Sequence, residues 1–191
     1  NGYMLTTLAL AGRLLDEPRY LQAAQQAAAF LCESLYDDRT GVLYRDWRGG
    51  ERGVPGFSTD YAALSEGLLT LYKVTGERRW LQLARRMLDS LLDRFQDGEA
   101  GGFYLTTGDT ELWLREKPAS DGASLAVNGI AIHVLLDLAR ITGEPAYRDS
   151  ARRTAAWLSA QLESSPAAMP YALIRWQELQ GSGHSQGGSS K

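Results

Sequence analysis

The sequence predicts an all-α fold, a partial α/α toroid made of about three helical hairpins and one further inner helix, with short β-hairpins between the units. Three features predict it: apolar residues recur at helical spacing, one short turn recurs between them, and two independent markers agree on the repeat. Tyr20 and Trp80 lie 60 positions apart, as do Tyr44 and Tyr104. A repeat of this length with a β-hairpin between units favours a closed ring over an open solenoid, which is the structural alternative.

Each hairpin pairs two kinds of helix around the recurring turn. The first helix of each pair is apolar nearly all round and must be covered on most sides, so we assign it to the inner layer. The second helix of each pair carries one apolar stripe opposite charged residues, which is typical of an outer helix with one solvent-exposed face. The predicted inner helices span 3–15, 59–74 and 125–141, and the predicted outer helices span 18–36, 77–95 and 145–162.

Glycine and proline mark the turn within the hairpins. Gly76 and Gly143 suit the C-terminal stop of an inner helix, while Pro18 and Pro145 suit the first turn of an outer helix. A last inner helix is predicted over 169–179 without an outer partner.

Alternating residues around Gly-rich turns follow two of the outer helices. Residues 42–57, with the turn at Gly49-Gly50, and residues 103–116, with the turn at Gly108-Asp109, predict β-hairpins.

One domain over residues 1–180 is predicted, followed by a Gly/Ser-rich tail over 181–191 that we expect to be disordered. A closed six-hairpin ring needs roughly twice the helices predicted here, so two edges should stay exposed unless further sequence or a partner covers them. The chain begins Asn1-Gly2-Tyr3 without an initiator methionine. We therefore expect an upstream segment, including any signal peptide, to be missing.

Composition excludes several function classes. A net charge of -3 without a dense Lys/Arg cluster argues against nucleic acid, and the absence of a long apolar run argues against a membrane span. The single cysteine, Cys32, lies in an apolar stretch that predicts a buried thiol, and it leaves no disulfide within the chain. With two histidines and no Cys/His set at ligand spacing, no metal or other cofactor is predicted. We expect a cytoplasmic protein.

The loops that lead from an outer helix into an inner helix should gather at one mouth of a toroid, so candidate functional residues are sought there. Asp60 and Asp121 precede or open the second and third inner helices and are candidates for the acid and base of glycoside chemistry. Arg45, Trp47, Phe57 and Tyr61 would form an aromatic and polar wall for a sugar. The alternative for each aspartate is helix capping, which the position alone favours.

Four further side chains have two interpretations each. Glu66 lies within an apolar inner helix, where burial would raise its pKa and suit a general acid, but a structural glutamate fits equally. His133 shares a polar helix face with Asp137 and Arg140, which favours a surface or hydrogen-bonded histidine over a catalytic one. The hairpin tryptophans Trp47 and Trp113 could stack on a sugar or fasten their hairpins to the helices.

Several segments together resemble a known family. They are Asn1-Gly2-Tyr3-Met4, the run from Val54 to Ala62, Glu66-Gly67-Leu68-Leu69 and Asp121-Gly122-Ala123, in this order and with the recurring turns. They resemble the helical region of the YyaL-type, spermatogenesis-associated thioredoxin-domain family over nearly the whole chain. The resemblance implies an N-terminal thioredoxin-like domain, followed by a six-hairpin glycosidase-like toroid similar to that of N-acylglucosamine 2-epimerases.

By position, the residues that match the family's loop motifs are Asn1, Asp60, Tyr61, Asp121, Gly122 and Asn128. We carry Asn1, Gly122 and Asn128 over as substrate-binding candidates beside the wall residues.

Two functions from different classes follow. The first is a carbohydrate-like small-molecule site at the mouth, with epimerase or glycoside hydrolase chemistry. The second is a non-catalytic helical scaffold that docks a thioredoxin-like domain or another protein partner. Either would act together with the remainder of the toroid.

Overall fold

The helical hairpins predicted from the repeat are present in the computed structural model, which describes residues 1–108 and 114–180. Its contacts divide the chain into two compact units, which we describe separately. Unit 1 comprises Asn1–Gln96 and Phe103–Glu116, and unit 2 comprises Asp97–Gly102 and Lys117–Lys191. The predicted tail over 181–191 lies outside the described residues.

Unit 1 contains two helical hairpins. The inner helix α1 packs against its outer partner α2 and against the next inner helix α3, and α3 packs against its own outer partner α4. The bounds are α1 Gly2–Leu14, α2 Pro18–Leu35, α3 Ser58–Thr75 and α4 Arg78–Phe95. All four helices agree with the prediction to within about two residues, which is the usual uncertainty of helix ends.

The recurring turn has the same backbone at equivalent positions in both hairpins. Gly76 ends α3 in the left-handed conformation with φ 72°, and its N–H donates to the Tyr72 carbonyl at 2.8 Å. Asp16, which lies 60 positions earlier, is also left-handed, with φ 52°. Aspartate is one of the few residues besides glycine that tolerate this region, so the turn is kept without its glycine.

The inner helices α1 and α3 meet at two glycines. A Cβ at Gly2 would lie 2.3 Å from the backbone of Ala63, and a Cβ at Gly67 would lie 2.8 Å from both the Gly2 carbonyl oxygen and the Leu5 Cβ. No side chain fits at such distances. The bare backbones therefore allow the close packing of α1 on α3.

Two small antiparallel strand pairs connect α2 to α3. Strand β1 (Tyr36–Asp37) pairs with β2 (Val42–Leu43), and β3 (Trp47–Arg48) pairs with β4 (Glu51–Arg52). The predicted turn at Gly49-Gly50 is confirmed, since both residues have positive φ (60° and 92°), as a tight hairpin of this type requires. The two arms of the predicted hairpin also pair beyond β3 and β4, through the Tyr44–Pro55 bridge and the Gly56 N–H, which donates to the Leu43 carbonyl at 2.7 Å. Strand β2 additionally pairs back to β1, at the end of the outer helix.

The second predicted hairpin is described only in part. The Leu105 N–H donates to the Glu116 carbonyl at 2.7 Å, which joins its two arms. The predicted turn residue Asp109 and the hairpin tryptophan Trp113 lie outside the described residues.

Unit 2 contains the third hairpin, α5 (Val127–Thr142) and α6 (Pro145–Leu162), followed by the short helices α7 (Pro170–Ile174) and α8 (Trp176–Gln180). The single inner helix predicted over 169–179 is therefore wrong, because the segment breaks at Arg175. Arg175 has φ -104° and ψ 5°, outside the helical region, and its guanidinium bonds Asp137 on α5 at 2.9 Å. That tertiary contact overrides the helical pattern.

The inner helices differ in how far they are covered. Most residues of α3 and nearly all residues of α5 are buried, as an all-round apolar helix requires. Helix α1 buries one side only and exposes Met4, Leu10 and Leu14. Within residues 1–108 and 114–180, no helix is both long and apolar enough to cross a bilayer.

Candidate functional site

The loop before α3, residues 54–61 (the α3 loop), uses Asp60 to cap the helix. Phe57 is the N-cap residue, and its N–H donates to the Asp60 Oδ2 at 2.8 Å. The Asp60 N–H in turn donates to the Phe57 carbonyl at 2.9 Å. The capping interpretation of Asp60 is thus confirmed, and its carboxylate remains part-exposed.

The Arg45 side chain packs against both residues of this cap. Its Nε is 3.2 Å from the Asp60 Oδ2, and its guanidinium carbon is 4.8 Å from the centroid of the Phe57 ring. The Arg45 N–H donates to the Val54 carbonyl at 2.9 Å, which anchors the backbone beside the α3 loop. A cation, a carboxylate and an aromatic ring, all part-exposed, therefore form one cluster at the surface. We call Arg45, Phe57 and Asp60 the α3 cluster.

Trp47 packs on an outer helix. Its ring meets the ring of Phe30 on α2 edge to face, with centroids 5.8 Å apart and planes at 85°. This geometry is favourable for two aromatic rings and ties the β3–β4 hairpin to α2. The structure thus places Trp47 where the fastening interpretation requires it, although its ring is still part-exposed.

Tyr61 is a core residue and not a surface wall residue. It is 1% exposed, and its ring lies 5.2 Å from that of Phe95. The Leu43 N–H donates to its hydroxyl oxygen at 2.7 Å, and the hydroxyl donates to the Gly41 carbonyl at 3.2 Å. Burial raises the pKa of Tyr61, so the hydroxyl stays protonated and keeps both bonds. In this structure it fixes the β1–β2 turn and cannot touch a ligand at the surface.

Glu66 and Asn1 lie at the inner helices of the same unit. Glu66 is only partly buried between the buried residues Ser65 and Gly67, and its carbonyl accepts the Thr70 hydroxyl at 2.9 Å. A raised pKa and an acid role for Glu66 stay predictions. Asn1 is exposed at the start of α1, where its carbonyl accepts the Leu5 N–H at 3.0 Å.

In unit 2, the loop before α5 (residues 117–126, the α5 loop) is held by Asp121. The Asp121 Oδ1 accepts the N–H of Ala126, the N-cap residue of α5, at 2.9 Å. Its Oδ2 accepts the N–H of Tyr171, in the first turn of α7, at 3.0 Å. The Asp121 N–H donates to the Ala168 carbonyl at 2.7 Å. Both carboxylate oxygens thus connect the α5 loop to backbone groups of unit 2, so the capping interpretation holds here too.

Other residues of the α5 loop are also engaged. Asn128 is completely buried, and its side-chain N–H donates to the Pro118 carbonyl at 2.7 Å. Lys117 donates to the Gly101 carbonyl at 2.9 Å and pairs with Asp97 at 2.5 Å, with both side chains nearly buried. Gly122 is exposed and has open space where a Cβ would lie. Nothing in its surroundings requires a glycine.

The polar face of α5 meets the α7–α8 segment. His133 is buried, stacks on the ring of Tyr171 at 4.1 Å, and has its Nε2 2.8 Å from the Tyr171 carbonyl oxygen. Because a carbonyl only accepts, this nitrogen carries the proton. Burial lowers the pKa of His133, and Arg175 adds to that effect. The prediction of a hydrogen-bonded histidine is confirmed, whereas the Asp137–Arg175 pair beside it was missed.

A surface cavity of about 530 Å³ lies elsewhere in unit 1, and none of the predicted site residues lines it. It is bounded by residues of α2, β4 and α4, among them Cys32, Tyr36, Arg52 and Trp80. The predicted buried thiol of Cys32 is confirmed, and burial raises its pKa to about 12. Among the described residues, no group of three or more His, Cys, Asp or Glu side chains is arranged to hold a metal ion.

No protein-family model matches the sequence. The chain is 32% identical to spermatogenesis-associated protein 20 of Rattus norvegicus and 31% identical to that of Homo sapiens, each over 180 residues. It is also 31% identical over 188 residues to an uncharacterised protein of Caenorhabditis elegans. These alignments cover 89% to 93% of this chain, which spans only 23% to 25% of the relatives' length.

Two solved structures share the fold. A glycoside hydrolase family 76 mannosidase from Bacteroides thetaiotaomicron has a TM-score of 0.67 at 22% identity, covering 83% of this chain and 42% of the enzyme chain. A cellobiose 2-epimerase from Spirochaeta thermophila has a TM-score of 0.60 at 24% identity, covering 80% and 40%. The predicted partial α/α toroid is therefore confirmed. The chain is homologous to one segment of spermatogenesis-associated protein 20, which is the resemblance that its loop motifs predicted.

Proposed function

We propose that this chain is part of a toroid domain that binds a carbohydrate-like small molecule, and that the α3 cluster supplies its contacts. The observation that carries the proposal is the part-exposed arrangement of Arg45, Phe57 and Asp60 at the start of an inner helix. Outside this cluster, Tyr61 is buried, Trp47 packs on α2, and both carboxylate oxygens of Asp121 accept backbone N–H groups, while Glu66 is partly buried. The α3 cluster brings a cation, a carboxylate and an aromatic ring together with part of each exposed.

The chemistry of the cluster suits a sugar. One face of a pyranose ring presents C–H groups that pack on an aromatic side chain, and Phe57 offers such a ring, now covered by Arg45 at 4.8 Å. The Arg45 guanidinium donates hydrogen bonds and the Asp60 carboxylate accepts them, so together they match hydroxyl groups, which do both. A sugar on Phe57 would displace the guanidinium sideways while the Asp60 cap stays in place.

The comparisons support the same ligand class by analogy of fold. Both solved structures that share the fold carry names of enzymes acting on carbohydrates, a mannosidase and a cellobiose epimerase. One fold can host many functions, so the proposal rests on the local chemistry of the α3 cluster.

A more specific proposal is that the domain also catalyses a hydrolase or epimerase reaction. In that case Asp60 and Asp121 would act as acid and base, and Glu66 would be an additional acid. Such a reaction needs a carboxylate free to exchange protons with the substrate. Asp60 retains exposed surface, whereas both oxygens of Asp121 already accept backbone N–H groups. Binding is accordingly the function that the geometry supports best, and catalysis is its extension.

The test is a titration of the chain with mannose and cellobiose, followed by melting temperature and calorimetry. We expect at least one sugar to raise the melting temperature, since a ligand at about a hundred times its Kd stabilises a protein by about 2.7 kcal/mol. Arg45→Ala and Phe57→Ala should each weaken binding about tenfold or more. Arg19→Ala is the matched control, because Arg19 also has a carboxylate partner (Glu17, 3.3 Å) and an aromatic ring (Tyr20, 5.3 Å), but at the other end of its hairpin.

An equal loss of binding in Arg19→Ala would show that the effect is not specific to the α3 cluster. No response to either sugar in the unaltered chain would reject the carbohydrate site. It would favour the second candidate, a non-catalytic scaffold that docks a thioredoxin-like domain or another protein. The structural use of Asp121, Tyr61 and Asn128 is what supports that candidate.

A further inference from the structure

The surface cavity bounded by α2, β4 and α4 (the α2–α4 cavity) is a second candidate site in unit 1. Its volume of about 530 Å³ lies within the range usual for small-molecule sites. Tyr36 and Trp80 contribute aromatic groups to its wall, and both side chains are buried, at 6% and 1% exposed. Arginines and acidic residues complete the lining. A wall of this kind suits a small molecule that has both apolar and charged parts.

Most of the charged groups at this cavity are engaged within the fold. The Arg52 guanidinium donates to the Ser34 and Tyr36 carbonyls, at 2.9 Å each. Arg79 pairs with Glu77 at 2.8 Å. Two of the acidic groups are paired as well, Asp37 with Arg52 at 3.8 Å and Asp38 with Arg86 at 2.7 Å. These groups shape the wall, and a ligand would have to break a pair to use them.

Three polar groups of the lining are left for a ligand. The side chains of Arg39 and Glu33 are exposed and have no hydrogen bond or ion pair within residues 1–108 and 114–180. The indole Nε1 of Trp80 is buried, and the described part of the chain offers it no acceptor. A buried N–H group normally has one. The cavity thus presents one cation, one anion and one N–H donor that the fold does not use.

We propose that the α2–α4 cavity binds a free α-amino acid with an apolar side chain. The ligand's carboxylate accepts hydrogen bonds from the Arg39 guanidinium and the Trp80 indole, and its ammonium group pairs with Glu33. Its apolar side chain packs against the aromatic wall. No residue of the α3 cluster lines the cavity, so the inference is independent of the carbohydrate site.

The charge of the lining favours a zwitterion over a plain anion or cation. Three arginines and three acidic residues line the cavity, so their formal charges cancel. A plain anion would pair with Arg39 but leave Glu33 without a partner, and a plain cation would do the reverse. An α-amino acid carries both charges on one carbon and satisfies both side chains at once.

The experiment is calorimetric titration of the chain with L-phenylalanine and two analogues that each lack one charged group. 3-Phenylpropionate keeps the carboxylate and the ring, whereas 2-phenylethylamine keeps the ammonium group and the ring. We expect L-phenylalanine to bind, and each analogue to bind about fivefold or more weakly, because each loses one charge-assisted contact.

Variants assign each charge of the ligand to its partner. Arg39→Gln should weaken L-phenylalanine and 3-phenylpropionate but leave 2-phenylethylamine unchanged. Glu33→Gln should weaken L-phenylalanine and 2-phenylethylamine but leave 3-phenylpropionate unchanged. Both side chains are exposed, so neither substitution should unfold the chain. Arg13→Gln is the matched control, since it removes an exposed arginine of α1 outside the cavity and should alter none of the three affinities.

A nuclear magnetic resonance measurement tests the role of Trp80. The chain has five tryptophans, and the loss of one indole signal in Trp80→Phe identifies the signal of Trp80. Among the five indole N–H signals of the unaltered chain, that of Trp80 should shift most when L-phenylalanine is added, because its proton gains an acceptor. A largest shift at another tryptophan would place the ligand outside the cavity and overturn the proposal.

The titrations have three further contradicting outcomes. No saturable binding of L-phenylalanine at up to about 10 mM would reject the amino-acid site. Equal affinities for L-phenylalanine and 3-phenylpropionate would identify a plain anion as the ligand instead. Unchanged affinities in both Arg39→Gln and Glu33→Gln would show that the two unpaired charges do not bind the amino acid.

Discussion

The α3 loop and the α5 loop each use an aspartate to hold the start of an inner helix, but the two carboxylates accept different numbers of backbone hydrogen bonds. Each leads into an inner helix, and each uses a carboxylate to accept a backbone N–H near the helix start. Asp60 accepts one such bond and keeps an exposed surface beside Arg45, whereas Asp121 accepts two, from residues 45 positions apart in sequence. Both loops thus use an aspartate near the start of an inner helix, but Asp121 joins two backbone segments of unit 2, whereas Asp60 leaves part of its carboxylate at the surface.

The largest expected effect is on stability, at Asp121. We expect Asp121→Ala to lower the free energy of unfolding by about 3 kcal/mol, because the N–H groups of Ala126 and Tyr171 both lose a charged acceptor. Asp60→Ala should cost only about 1 kcal/mol, the usual value for one lost cap. Chemical denaturation of both variants measures the difference. Equal costs would contradict the contrast between the two loops.

A smaller effect is expected at Tyr61, next to Asp60 in sequence. Tyr61→Phe should lower the free energy of unfolding by about 1 to 2 kcal/mol, because the buried Leu43 N–H loses its acceptor while the ring still packs on Phe95. Tyr20→Phe, on the outer helix α2, is the control and should change stability by less than about 0.5 kcal/mol. Denaturation curves of the two variants give the values. A wild-type stability in Tyr61→Phe would mean that the hydroxyl does not hold the β1–β2 turn.

The helices could be predicted because their signals are local. Apolar periodicity, the glycine stops and the first-turn prolines act over a few residues, and the repeat gives each of them a second copy for comparison. The α4 stripe around Trp80 and Met87 is buried as its spacing predicts. Where a long-range contact decides the backbone, local signals fail: Arg175 leaves the helical region while bonding Asp137, which lies 38 positions earlier.

The candidate site could be predicted only in part, because the same residue type serves two purposes. The sequence predicts that Asp60, Tyr61 and Asn128 lie near the starts of inner helices, and in the structure all three lie in the first turn of α3 or α5. It could not distinguish the exposed Asp60 from the buried Tyr61, since exposure depends on which loop folds over which helix. The Lys117–Asp97 pair was also missed, because 20 positions separate its members and neither belongs to a helix pattern.

A last contrast between the two units concerns pH. The chain has two histidines, His133 and His184, and neither belongs to unit 1. The groups facing His133 are the Tyr171 carbonyl, Asp137, Arg175 and Glu178, and burial is the largest influence on its pKa, which is lowered in the folded protein. Unfolding returns His133 to its ordinary pKa, near 6.5.

Above that pH both states are neutral at His133, so its environment adds no dependence on pH. As the pH falls below about 6.5, the unfolded state takes up the proton first, and stability should decrease until the folded pKa is reached. The hydrogen bond from Arg175 lowers the pKa of Glu178, so this neighbouring carboxylate titrates below this window. Denaturation midpoints between about pH 7.5 and about pH 5 should therefore fall in the unaltered chain and in His184→Ala, but stay level in His133→Gln. If the denaturation midpoint of His133→Gln still falls over this pH range, the titrating group lies elsewhere. The contact of His133 with Tyr171 would then not be the pH-sensitive part of unit 2.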